Sequence, residues 1–150
     1  MMLRWLLAAL HLLALGIGLG AVWIRGRALR APLDDAGLRR VFRSDAVWGV
    51  AGALWIGTGL WRLLAGLEKP TDYYLHNHVF LTKMALLLIL LLLEISPIVT
   101  LTRWRRRVAS GQAFDTAAAG RLATISAVQA GLVVLMVLAA TAMARGIGAS

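Results

Sequence analysis

The chain has 150 residues, 60% of them hydrophobic, with a mean hydropathy of +0.77, and a water-soluble domain of that size cannot cover so much apolar surface with a polar exterior. The net charge of +9 comes from 16 Lys and Arg against 7 acids, but the cations sit in short segments beside apolar blocks, which points to membrane topology and anionic headgroups and away from nucleic acid. There is no cysteine, which excludes disulfides, iron–sulfur clusters and thiolate chemistry.

The apolar residues fall in four blocks, 3–24, 46–67, 79–101 and 119–144. Each is long enough to cross ~30 Å of hydrocarbon at ~1.5 Å per helical residue. A backbone in lipid must satisfy its own hydrogen bonds, so each block is expected to be a helix. The expected fold is all-α: an integral membrane four-helix transmembrane bundle, with residues 1–150 as a single domain.

The first block carries His11 and the glycines Gly16, Gly18 and Gly20. It exceeds a signal-peptide core in length, and its strongest positive charge follows it, so it is expected to stay as a span. The next connection holds Arg25, Arg27, Arg30, Arg39, Arg40 and Arg43. Within it, Asp34 can cap a short helix with Leu38, Val41 and Phe42 on one face and arginines on the other. That segment reads either as an interfacial helix in the headgroup plane or as a plain basic loop. The second block carries Gly49, Gly52, Gly57, Gly59 and Arg62, and the connection after it (Glu68, Lys69, Asp72) is weakly charged. Lys83 and Glu94 lie in the third block. Behind it come Arg103, Arg105, Arg106, Arg107 and Arg121.

Positive connections stay cytoplasmic, so both chain ends are expected outside a bacterial inner (cytoplasmic) membrane, N-out and C-out. Arg-rich loops on the inner side are expected to meet anionic lipid headgroups. Trp5, Trp61, Tyr73 and Tyr74 are expected to mark the outer edge, and Trp23, Trp48 and Trp104 the inner one. The glycines either let helices approach closely or leave room for a flat ligand.

Polar residues inside the spans carry the functional signal, because a charge at the centre of a membrane helix costs ~3 kcal/mol on insertion scales. His11 lies roughly 10 Å below the outer end of the first span, Lys83 about 9 Å below Asn77, and Arg62 about 6–9 Å from its own outer end, counted at ~1.5 Å per residue. Helical spacing puts Phe80, Lys83, Leu87, Leu90 and Glu94 on one stripe, with His76 above them. Trp48, Gly52, Trp55, Gly59 and Arg62 form a second, and Arg4, Leu7, His11 and Gly18 a third. Turned inward, these stripes bring His11, Arg62 and Lys83 together. Cations at one depth repel, so either the Lys83 amine is neutral or an anion sits among them. A haem b meets both demands: its iron takes an imidazole, with an amine as second ligand, and its propionates pair with arginine. Arg62 either serves that role or snorkels to the headgroups. Glu94 either pairs with an inner-loop arginine or relays protons, and Gln129 with Ser126 is expected to bond across helices. His76 and His78 could hold a metal only on extended backbone, since helical neighbours two apart diverge by about 200°.

Three stretches carry a resemblance over nearly the whole chain: L-A-A-L-H-L-L-A-L-G-I-G-L-G, L-W-I-G-T-G-L-W-R-L-L-A-G-L-E-K and D-Y-Y-L-H-N-H-V-F-L-T-K-M-A-L-L-L. With them the chain resembles an uncharacterised bacterial family of small four-helix inner-membrane proteins. More distantly, its layout is similar to HemJ-type protoporphyrinogen oxidases and CopD membrane proteins. The HemJ resemblance matches His11 to an early helix-1 histidine, Arg27 to a basic residue at the inner end, and Lys83 to a lysine early in the third span. It implies a b-type haem or other tetrapyrrole, and an oxidase or electron-transfer activity. The chain departs from that family in having L-T-K where a tryptophan, histidine and lysine cluster stands, and in lacking a later histidine pair. The leading expectation is a haem- or porphyrin-binding redox protein. Against it stand a non-enzymatic scaffold that uses glycine-rich faces, as a homo-oligomer or with another protein, and an ion or copper permease component.

Overall fold

The computed structural model describes residues 1–65 and 76–147. Four helices follow in order: α1 (Met2–Arg30), α2 (Asp35–Leu64), α3 (His78–Ala109) and α4 (Ala119–Ala144). All four are long and apolar enough to cross a membrane. At 26 to 32 residues each, they run about 39–48 Å at ~1.5 Å per residue, more than the hydrocarbon needs.

The excess length lies mostly at the arginine-rich end. There α1 continues to Arg30, α3 to Ala109, and α2 starts well before its apolar block. Arginines in the last turns of α1 (Arg27, Arg30) and α3 (Arg106, Arg107) suit the partial negative charge of a helix C-terminus. Asp34 caps α2 as its position predicts, accepting from the Gly37 N–H at 2.7 Å. The segment expected in the headgroup plane is helical, but it runs without a break into the second span as the opening turns of α2. Nothing in 35–46 breaks the helix: it holds no proline, and Arg39, Arg40 and Arg43 on its polar face are exposed. At the opposite end, Asn77 caps α3 through the N–H groups of Val79 and Phe80.

α1 packs against α2 on one side and α4 on the other, and α4 packs against α3. α2 and α3 form no comparable interface, so the bundle is left with a cleft between them. One buried cluster, with Leu29, Val41, Leu101, Trp104 and Leu122, holds the arginine-rich end. A second, with Val22, Trp48, Leu90, Val133 and Met136, holds the middle. The outside carries exposed Leu12, Leu13, Ile17, Leu88, Leu92, Ile95 and Leu138. An apolar surface of that extent belongs in lipid.

Two expectations change. Trp5, Trp23 and Trp61 face outward, as belt residues do, whereas Trp48 and Trp104 are 8% and 2% exposed and belong to the core. Tyr73 and Tyr74, like Glu68, Lys69 and Asp72, lie outside the described residues. Among the glycines, Gly18 does let α1 meet α2, since a Cβ there would touch Ala51 and Trp48 at 3.5 and 3.6 Å. Gly16, Gly20, Gly49, Gly52 and Gly57 meet nothing within 4 Å and do not bring these helices together.

Candidate functional site

The bundle interior is polar at two levels. At the arginine-rich end the Arg25 side chain is completely buried, and it gathers groups from every other helix. Its Nη1 donates to Asp45 Oδ1 on α2 and to Glu94 Oε1 on α3, both at 2.9 Å. Its Nη2 donates to Glu94 Oε2 at 3.1 Å and to Gln129 Oε1 on α4 at 2.6 Å. Its Nε donates to Ser126 at 3.0 Å. Gln129 completes the set by donating to Glu94 Oε2 at 2.7 Å and to the Leu90 carbonyl at 3.3 Å. Asp45 also accepts from Arg105, which is 42% exposed, so two carboxylates face two guanidiniums. Trp48 lies 6.0 Å from the Arg25 guanidinium carbon. Fork-shaped guanidinium geometry suits such multiple donation, where a lysine would offer only a point charge.

Three of these partners match expectation: Glu94 pairs with an arginine near the end of the first span, and Gln129 and Ser126 bond across helices. Arg25 and Asp45 were missed. Arg25 had been grouped with Arg27 and Arg30 as a topological charge, yet it continues the stripe of Leu7, His11, Ala14, Gly18 and Val22 at helical spacing. Arg27, about 200° round the same helix from Arg25, is exposed and borders neither of the cavities described below. The basic residue turned into the bundle is Arg25.

At the other level, His11 and Lys83 line one cavity of about 90 Å³ in the α2/α3 cleft, with Trp55, Gly59, Phe80 and Leu87 as further walls. The His11 ring stacks on Trp55 with centroids 5.6 Å apart, and its Nδ1 lies 2.9 Å from the Thr58 hydroxyl. The Thr58 hydroxyl also lies within reach of the backbone carbonyls of Leu54 (2.7 Å) and Trp55 (3.1 Å). When its single proton goes to a carbonyl, its oxygen accepts from His11 Nδ1–H, the tautomer that leaves the ring lone pair on Nε2. Gly59 gives the ring its room, for a Cβ there would stand 3.1 Å from His11 Cε1.

A second cavity of about 280 Å³ adjoins the first, with Trp55 and Ile56 in the walls of both. It runs along Gly49, Gly52, Trp48 and Leu90 to Asp45 and Glu94, so it links the two polar levels. Exposed rim residues, Gly49 and Ala53 on α2 and Leu91 and Ile98 on α3, open it sideways toward the bilayer. The Trp55 indole N–H is buried and makes no hydrogen bond among the described residues. Arg62 is half-buried near the end of α2 and is not among the residues lining either cavity. His76 and His78 are exposed, flanking the buried cap residue Asn77, and among the described residues no cluster of three or more histidines and acids could hold a metal ion.

Four lipid-length helices with charged groups turned inward define an integral membrane protein. The chain belongs to the family described as "Predicted membrane protein (DUF2214)", whose model matches residues 3–148. No curated protein and no solved structure matches the chain. The likeness to HemJ-type and CopD proteins is therefore not among the matches.

Proposed function

We propose that the chain is a bacterial inner-membrane protein, with both ends outside, that takes a flat amphipathic ligand of the tetrapyrrole class into the α2/α3 cleft. The observation that carries the reading is the shared cavity of His11 and Lys83, two residues costly to place in lipid, on different helices and otherwise walled by apolar side chains. The donor set fits the group: an imidazole able to keep its lone pair on Nε2, held by Thr58 and Trp55, faces the same space as an amine. Neither cavity alone fits a macrocycle, since ligand sites run to ~300–1,000 Å³. Both together are needed, with Trp55 or Ile56 turned aside and part of the ligand left facing lipid. Gly49 and Gly52 leave that wall flat.

In this reading His11 orients the ligand through Nε2, Lys83 holds or moves a proton beside it, and Phe80 and Leu87 exclude water. A bound haem would supply one-electron redox chemistry there. The test is the visible spectrum of protein purified after expression with ample haem. A Soret band that His11→Ala abolishes supports the reading. No band, and no binding on reconstitution with hemin, rejects it.

One observation favours a second reading, that of a scaffold or homo-oligomer. Gly16 and Gly20 on α1 and Gly131 on α4 line an outward groove, and a Cβ at any of them would meet nothing within 4 Å. A partner helix could approach there closely. Gly20→Leu would then break a complex while His11→Ala leaves it intact.

A further inference from the structure

At the arginine-rich end a separate cavity of about 700 Å³ lies between the end of α3 and the start of α4. Arg103 and Arg107 reach it from successive turns of α3, and Arg121 from the first turn of α4. Trp104 and Phe114, with ring centroids 5.8 Å apart, also line it. Like charges four apart on a helix repel, and a third is added from the neighbouring helix. Among the described residues no ion pair relieves this, and Arg107 bonds only the neutral Gln112 amide, at 3.0 Å. Asp115, the one acid at the rim, spends its Oδ1 on the Ala117 N–H at 2.8 Å. At the same end buried Arg25 and exposed Arg105 both find carboxylates, whereas among the described residues Arg103, Arg107 and Arg121, also exposed, do not.

We propose that this cavity seats the phosphodiester headgroup of one anionic phospholipid. Depth selects the lipid over a dissolved anion: Arg103 stands just beyond the apolar block 79–101, at the level where the helix leaves hydrocarbon. Basic pockets between membrane helices on the cytoplasmic side hold anionic headgroups for this reason. Phe114, backed by the buried Trp104, meets the glycerol region, and the three guanidiniums surround the phosphate. The site stands apart from the α2/α3 cleft and does not depend on what that cleft binds.

The experiment uses the full chain in nanodiscs of phosphatidylcholine with a minor share of phosphatidylglycerol, followed by native mass spectrometry of the released protein. Wild type should retain one phosphatidylglycerol in strong preference to phosphatidylcholine. Each basic side chain near the surface is worth roughly fivefold, so Arg103→Gln, Arg107→Gln and Arg121→Gln together should cut the preference about a hundredfold. Arg39→Gln, Arg40→Gln and Arg43→Gln remove equal charge from equally exposed positions outside the cavity and should leave it within a few-fold. Equal loss in both triple variants would mean diffuse surface attraction and overturn the site. Displacement of the lipid by millimolar inorganic phosphate would overturn the lipid as occupant. A native-like far-UV spectrum in both variants keeps the comparison valid.

Discussion

Replacing Arg25 with Met leaves the partly buried Asp45 and Glu94 with no central cation, only Arg105 remaining on Asp45, and takes one hydrogen bond each from Gln129 and Ser126. The wild-type side chain makes five hydrogen bonds to three other helices. Interhelical hydrogen bonds in membranes average ~0.6 kcal/mol each, which gives about 3 kcal/mol for the set. Removing one partner of a buried ion pair costs ~3–5 kcal/mol by a separate route, because the remaining charge is stranded. Arg25→Met should therefore destabilise the bundle by about 3–4 kcal/mol. Reversible unfolding in mixed micelles, followed by far-UV circular dichroism, measures it. The triple change Arg25→Met, Asp45→Leu, Glu94→Leu removes the stranded charges as well and should recover at least half of the loss. A loss below ~1 kcal/mol for the single change, or a triple variant worse than the single one, would refute the view that stranded charge sets the cost.

Thr58→Val keeps the shape beside His11 but removes the oxygen that accepts its Nδ1–H. By analogy with other partners that orient a ligating imidazole, hemin affinity should fall ~10–100-fold by absorbance titration while the helical content stays unchanged. Gly18→Leu should destabilise by ~1–3 kcal/mol through overpacking against Ala51 and Trp48, whereas Gly20→Leu, facing open space, should shift unfolding by less than ~0.5 kcal/mol. Gly37→Ala would drive a Cβ into the Pro32 carbonyl, a backbone atom that cannot swing aside, so the start of α2 should fray in hydrogen exchange.

The four spans were legible because lipid demands long uninterrupted apolar runs, and 119–144 was placed to the residue. The ends of the others were not, because helices run on past the hydrocarbon wherever caps and terminal arginines suit them, as at Asp34 and Arg106. The inward stripe of α3 was legible from spacing: Phe80 and Leu90 are buried, and Lys83 and Glu94 are half-buried. Arg25 was hidden by its neighbours. Counting charge per connection treats Arg25, Arg27 and Arg30 alike, and only the helical phase separates the buried one. Asp45 was hidden the same way, just before its apolar block, although it stands one turn from Trp48 on the inward stripe. Which glycines pack and which stay open depends on which helices adjoin, and no sequence pattern showed that α2 and α3 stand apart.

The central functional claim is that His11 and Lys83 act on one bound molecule, and a double-mutant cycle tests it most directly. Hemin affinity is measured for wild type, His11→Ala, Lys83→Ala and the double variant in nanodiscs. Residues touching the same ligand couple by ~0.5–3 kcal/mol, and the double variant should fall short of the summed losses by that amount. Losses that add to within ~0.3 kcal/mol, or affinities equal in all four proteins, would contradict the shared site.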